Sequence, residues 1–315
     1  VELMPAEGSG CRNYQGPAWY RKHFVLPAET KGKRVVLHFE AAMGKQILYL
    51  NGKRIQEHLG GYLPFTLDLT ANGVQAGDSC LLAVFTDNSD DKSYPPGKRQ
   101  YTLDFAYHGG IYRDVWMIAK SPVAITDAID SQIVGGGGVF VHFDKISEKS
   151  AQVYVNTEVQ NDDARSESVT VETTLTDADG KVIKRSSGKL SLKPGEKKSI
   201  RQQMEVKNPT LWSPDTPYLY RVQSRIKKGN KSIDGGITRV GIRLAEFRGK
   251  DGFWLNGKPF GQLVGANRHQ DFAYVGNALP NSQQWRDAKR LRDVGCTIIR
   301  VAHYPQDPAF MDACD

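Results

Sequence analysis

Between Val35 and Ala119 apolar residues fall into short alternating runs, and each run meets a turn signal within about ten residues, which leaves no room for a helix of useful length. Val35, Leu37 and Phe39 alternate with Val36, His38 and Glu40, and Ile47 to Leu50 leads into Asn51-Gly52 and then Lys53, Arg54 and Ile55. Asn and Gly both accept the positive φ of a two-residue type I′ turn, so this stretch is expected to be a hairpin. Further short strands are expected at Phe65 to Leu69, Cys80 to Thr86 and Asp114 to Ala119. A chain punctuated in this way folds as a sandwich or jelly roll.

The pattern breaks at Ser121-Pro122 and again at the four glycines Gly135 to Gly138, which read as a flexible connector or loose turn. A second β-rich region follows, with Val153, Val155, Thr157 and Val159 alternating with polar residues and turns at Asp179-Gly180 and Pro194-Gly195. It suits an immunoglobulin-like sandwich, without the Cys…Trp…Cys spacing of antibody domains. Past Phe253 to Lys258, another Asn-Gly hairpin, the period changes. Gly261 to Ala266 reads as a short buried strand. A helix is expected from an N-cap at Asn281 or Ser282, with Trp285, Ala288, Leu291 and Val294 as its apolar face and Gly295 as its stop. Thr297 to Ala302 reads as a second buried strand, and Pro308 opens another helix. Strand, helix, strand, helix begins a parallel α/β fold.

The charge was the other candidate signal. The formal charge is +7, and between Lys181 and Arg201 eight basic residues face the single acid Glu196 with no aromatic among them. Nucleic-acid binders need stacking platforms or a recognition element, and neither is present, so the run is expected to be a solvated strand face. No stretch approaches the roughly 18 apolar residues of a membrane helix. Cys11, Cys80, Cys296 and Cys314 lack zinc or disulfide-framework spacing. No metal, cofactor, nucleic-acid or membrane partner is expected. The chain starts at Val1, so a targeting segment would be invisible and the compartment stays open.

Chemistry is expected at the ends of the two parallel strands. Asn267-Arg268-His269-Gln270-Asp271 follows the first and His303-Tyr304-Pro305 the second, which is the active-site face in a βα barrel. From the residues alone, His269 and His303 could equally be loop residues bonded to backbone.

At six places the sequence resembles one family, glycoside hydrolase family 2, which includes β-galactosidases, β-glucuronidases and β-mannosidases. Gly60-Gly61-Tyr62-Leu63-Pro64-Phe65 and Gly110-Ile111-Tyr112-Arg113-Asp114-Val115 resemble its sugar-binding domain. Asn208 to Pro214 and Gly241-Ile242-Arg243 resemble its immunoglobulin-like domain. Gly265-Ala266-Asn267-Arg268-His269 and Ile299 to Pro305 resemble the first two strand ends of its catalytic barrel.

The resemblance implies a jelly-roll sugar-binding domain over 1–121, an immunoglobulin-like sandwich over 122–245 and the truncated start of a TIM barrel over 246–315. It also implies a retaining exo-glycosidase acting on a β-linked glycoside or oligosaccharide, with β-galactosidase the first expectation and β-glucuronidase the alternative. In this family an acid glutamate and a nucleophilic glutamate, about 5–5.5 Å apart, come from later barrel strands. Neither occurs before Asp315, so the 315-residue chain by itself is expected to be inactive. By the same resemblance Arg300 supports the nucleophilic carboxylate, His303 binds sugar hydroxyls and His269 lines the subsite near the acid. Asn267 and Arg268 are expected to brace that loop. Asp104, and with less force Asp87 and Asn88, would reach the pocket from the first domain. Gln270 stands where the family often has glutamate, which removes an acid or metal role there. Homo-oligomers occur within such a reading, and a soluble bacterial setting, cytoplasmic, periplasmic or secreted, is natural for it.

A rival reading is a non-catalytic carbohydrate-binding protein, with Tyr94, Tyr101, Phe105, Tyr107 and Tyr112 as a platform for sugar rings.

Overall fold

A computed structural model describes residues 14–103 and 105–315. Cys11 and Asp104 therefore lie outside the described residues. Contacts divide the chain into two units, one of residues 1–119 with 264–314 and one of residues 120–263 with Asp315.

The first unit begins with β1 (Pro17–Val25), β2 (Arg34–Phe39), β3 (Ala42–Met43), β4 (Lys45–Leu50), β5 (Lys53–Leu59), β6 (Phe65–Asp68), β7 (Ser79–Asp87), β8 (Gly110–Ile111) and β9 (Val115–Lys120). They form the sheets β1-β7-β4-β5 and β6-β2-β9 and the small pair β3-β8. Alternation explains the layering: Val35, Leu37 and Phe39 on β2, Leu67 on β6, Leu48 on β4 and Val84 on β7 meet in one core. The β4–β5 hairpin turns at Asn51 and Gly52 with φ of 50° and 82°, as the dipeptide required. Strand β1 carries no clean alternation, and the sequence pattern missed it. It sits at the sheet edge beside β7 with most of both faces exposed.

The second unit holds β10 (Val123–Ile125), α1 (Ala128–Ser131), β11 (Val139–Asp144), β12 (Ser150–Asn161), β13 (Glu167–Thr176), β14 (Val182–Leu192), β15 (Lys197–Lys207), β16 (Tyr220–Lys228) and β17 (Lys231–Val240). One sheet pairs β12 with β10, β11 and β15, and the other runs β14-β13-β16-β17. Ala151, Val153, Val155, Leu175, Met204 and Val222 fill the space between them. This is the expected immunoglobulin-like sandwich, and Lys189 indeed lies on an exposed strand face. The glycine run is tighter than a loose connector: Gly138 donates to Thr126 Oγ1 at 2.9 Å and accepts from the Glu158 N–H at 2.9 Å. A small sheet of β18 (Ala245–Phe247), β19 (Phe253–Leu255) and β20 (Lys258–Pro259) completes the unit, with Asn256 and Gly257 turning at positive φ.

The first unit resumes with β21 (Gly265–Arg268), α2 (Asn281–Asp293), β22 (Ile298–Val301) and α3 (Pro308–Cys314). β21 and β22 pair in parallel, so the expected strand, helix, strand, helix order holds. Helix α2 ends in a Schellman motif, with the Gly295 N–H bonded to Arg292 O and the Cys296 N–H to Leu291 O. Two expectations fail in detail. The parallel strands are not buried, since Val264, Ile298 and Val301 are 52%, 44% and 39% exposed. The expected apolar face of α2 is turned inward only in part: Ala288 is buried and Leu291 half-buried, while Trp285 and Val294 are exposed. Gln284 and Asp287 share the inward side and accept from the buried guanidinium of Arg268, which needs such partners.

Candidate functional site

The register of the parallel pair decides which side chains meet. Asn267 lies beside Arg300 and Arg268 beside Val301, and the Ala302 N–H continues the ladder to Arg268 O at 3.0 Å. Only glycine allows the strand to begin so close to its partner, because a Cβ on Gly265 would stand 1.7 Å from Ile298 O. Arg300 Nη1 donates to Asn267 Oδ1 at 3.3 Å, which orients an exposed cation at the strand end. One residue beyond the end of β21 and two beyond the end of β22, His269 and His303 stand edge to face with ring centroids 5.4 Å apart. Phe105 lies 5.9 Å from the first ring and 5.6 Å from the second. His303 is exposed and His269 half-buried, with His269 Nδ1 lacking a hydrogen-bond partner among the described residues.

The loops carrying these histidines are held from behind. Tyr304 stacks on Tyr62 at 4.5 Å and 8°, and its hydroxyl accepts from the Gln270 N–H at 3.3 Å. Burial pushes that phenol up to about 12. Arg113 Nη2 donates to Gln270 Oε1 at 3.0 Å and to Pro305 O at 2.5 Å, while Nη1 reaches Tyr62 O at 3.4 Å. Gln270 Oε1 also accepts from the Asp307 N–H at 3.2 Å. One arginine therefore ties the loop after β21 to the loop after β22. Gln270 is wholly buried and structural, consistent with its amide in place of a carboxylate. Arg268 is 5% exposed and donates to Gln306 at 2.5 Å, Gln284 at 2.7 Å and Asp287 at 2.8 Å, with Phe310 packed 4.0 Å from its guanidinium. Both terminal nitrogens of this buried side chain are spent on protein acceptors, so it braces the loop and does not face a ligand.

The other expected residues make contacts of their own. Asp87 ends β7 and accepts from the Ser89 N–H at 2.9 Å. Asn88 is 2% exposed and spends its amide on Gly16 N, Tyr14 O and Tyr107 O, so it holds backbone in place. A planar aromatic platform does not form, because Tyr107 and Tyr112 are core residues at 5% exposure, packed with Met43, Tyr62 and Tyr304. The sequence contained Arg113, Tyr62 and Tyr304 within its motifs but gave no sign of their joint task. A lone arginine in the otherwise apolar Gly110-Ile111-Tyr112-Arg113 was the available signal.

Beside Arg113 lies a cavity of about 360 Å³ lined by Tyr112, Asp114, Leu279, Asn281 and Asp307 among others. Burial raises the carboxyls of Asp307 and Glu40, and for Glu40 the nearby Asp307 and Asp114 charges add to it. Among the described residues no group of three or more His, Cys, Asp or Glu could hold a metal ion. No helix among them is long and apolar enough to cross a membrane.

Three family models match in collinear order. The glycosyl hydrolases family 2 sugar binding domain covers residues 3–122, the family 2 domain that follows it covers 137–243, and the family 2 TIM barrel domain covers 247–315. The chain belongs to glycoside hydrolase family 2. A β-galactosidase of Thermoanaerobacter pseudethanolicus is 34% identical over 304 residues, which is 96% of this chain and 38% of that protein. A β-glucuronidase of Formosa agariphila is 33% identical over 310 residues, 96% of this chain and 31% of the relative. The crystal structure of a Bacteroides uniformis β-glucuronidase superposes with a TM-score of 0.87 at 33% identity, covering 96% of this family 2 chain and 35% of the other. The chain thus spans about a third of the length of the curated relatives it matches.

Proposed function

We propose that this chain is the N-terminal part of a retaining exo-glycosidase that hydrolyses terminal β-linked sugars, first of all β-galactosides. The observation that carries the reading is the strand-end constellation of Arg300, His303 and His269 on parallel β21 and β22, on the face where a βα barrel does its chemistry. Arg300 is a fixed cation suited to keeping a nucleophilic carboxylate ionised. His303 and His269 suit sugar hydroxyls. Asn267 positions Arg300, and Arg268 braces the loop from inside. Asp104 and Asp87 remain proposed contacts from the first domain, which we take as 1–121, ahead of a sandwich over 122–245 and barrel residues from 246. The two carboxylates of a retaining mechanism are not assigned to any residue of this chain. The 315-residue chain is therefore expected to show no turnover of its own.

β-Glucuronidase is the second reading, favoured by the β-glucuronidase names among relatives and solved structures of equal similarity. Chromogenic galactoside and glucuronide assays on the natural full-length protein separate the two. There His303→Ala is expected to lower kcat/KM at least about tenfold, the loss of one or more good hydrogen bonds. Unchanged kinetics would remove His303 from the site, and cleavage by the 315-residue chain would overturn the assignment of the chemistry to glutamates outside it.

A further inference from the structure

The outer face of the sheet β1-β7-β4-β5 carries an aromatic cluster that no core claims. Leu82 and Val84 on β7 and Leu48 and Leu50 on β4 turn into the core, and Phe24 on β1 packs against them. Alternation therefore sends Ala83 and Phe85 outward on β7, and Ile47 and Tyr49 outward on β4. Directly opposed residues share a face, so two outward rows follow from the ladders. One runs Trp19, Phe85, Ile47, Glu57 from β1 to β5, and the other runs Arg21, Ala83, Tyr49, Arg54.

Strands β1 and β4 are two spacings apart, about 10 Å, yet the rings of Trp19 and Tyr49 have centroids only 5.6 Å apart. The indole therefore leans across β7 toward Tyr49, and Ala83, the smallest outward side chain on β7, leaves it room. Phe85 supports it at 5.3 Å and 68°. A ring that leans on the sheet turns its other face to solvent: Trp19 is 51% exposed, while Phe85, Tyr49 and Ile47 are half-buried. The Arg21 guanidinium lies 5.9 Å from the indole centroid, well beyond the 3.9 Å at which Arg248 stacks on Trp254, so it borders the ring without capping it. Past Tyr49 the charges are mixed. Arg54 donates to Glu57 at 2.5 Å, and Lys45 Nζ lies 3.7 Å from the same carboxylate.

The negative face of an indole suits the C–H bonds that line one side of a pyranose ring. Guanidinium groups donate and a carboxylate accepts, so Arg21, Arg54 and Glu57 together match sugar hydroxyls in both senses. The open indole amounts to on the order of 100 Å², enough for one sugar ring and far below the roughly 800 Å² per partner of a stable protein interface. Nucleic acid fits less well, because one platform beside a carboxylate makes no cationic track for a phosphate backbone. We propose that the outer face of this sheet binds a neutral oligosaccharide, one ring seated on Trp19 beside Arg21 and the next within reach of Tyr49, Arg54 and Glu57. Only the choice of β-linked probes below rests on the glycosidase reading; the platform itself needs no turnover.

The test titrates the whole 315-residue chain with a neutral β-galactan, a neutral β-glucan, polygalacturonate and single-stranded DNA at low and physiological salt. Saturable binding to at least one neutral glycan is expected, with little change between the two salts because no net charge is neutralised. Trp19→Ala is expected to weaken it about tenfold or more with circular dichroism unchanged, and Trp19→Tyr to keep most of it. Glu57→Gln keeps the shape and loses the charged acceptor, and is expected to weaken binding about threefold. Should Trp19→Ala lose its fold, Glu57→Gln decides alone. No binding to either neutral glycan, binding that these variants leave intact, equally tight binding of DNA or polygalacturonate, or self-association that Trp19→Ala abolishes would overturn the proposal. Glycan binding by a full-length protein that shows no turnover would strike the glycosidase reading alone.

Discussion

The sandwich core and the zone behind the two histidines are both buried, yet they are built from opposite materials. In the sandwich Val153, Val155, Leu175 and Val222 are fully buried and interchangeable in kind, held by burial and dispersion. Behind the histidines, Arg113, Arg268, Gln270 and Gln284 are buried with tyrosines, each held by directed hydrogen bonds. Loss in the first region scales with the volume removed. In the second it falls on every partner left unpaired.

The sharpest way to break that contrast is Arg268→Met, which preserves bulk but strands Asp287, Gln284 and Gln306. It is expected to cost about 3–5 kcal/mol in chemical denaturation, as when one partner of a buried ion pair is removed. Leu175→Ala in the sandwich comes next, at about 2–4 kcal/mol for a cavity that neighbours only partly refill. If Leu175→Ala costs more than Arg268→Met, the polar zone is not the stricter of the two. Arg113→Lys keeps the charge and loses the fork, and is expected to cost about 1–3 kcal/mol, with faster amide exchange in the loops after β21 and β22 as the local readout.

The smallest effect is on pH. Burial raises the Asp307 carboxyl above its ordinary 3.8, so the native state holds that proton longer than the unfolded chain does. Its contribution is therefore fully present below 3.8 and lost as pH rises through the higher native value. Asp307→Asn should flatten this dependence in thermal melts across that window, and an unchanged slope would show that the buried carboxyl is not strained.

Much of the fold was legible because alternation and turn chemistry act locally. Asn51-Gly52 and Asn256-Gly257 turn where the dipeptides said, and Gly295 stops its helix. The strand ends bearing His269 and His303 followed from the switch of period. What could not be read depended on partners distant in sequence. Trp285 belongs with Ala288 and Leu291 by periodicity, but it is exposed, and Gln284 and Asp287 turn inward to Arg268 instead. Asn88 resembles a polar loop contact until Tyr107 O is found at 2.7 Å. Strand β1 has no face to betray it, since its stability comes from pairing with β7 along its whole length.

The first unit is interrupted: residues 264–314 join 1–119 only after the chain has run through 120–263. For folding, this makes Tyr62 and Tyr304 late partners. The surface bearing Tyr62 and Arg113 is synthesised well before the strands it will hold, and must wait for them with its polar groups in water. Loop closure grows only slowly with length, about 0.6 kcal/mol per doubling, so the excursion itself is tolerable. Kinetics is where it tells, because contacts of such high sequence separation slow assembly.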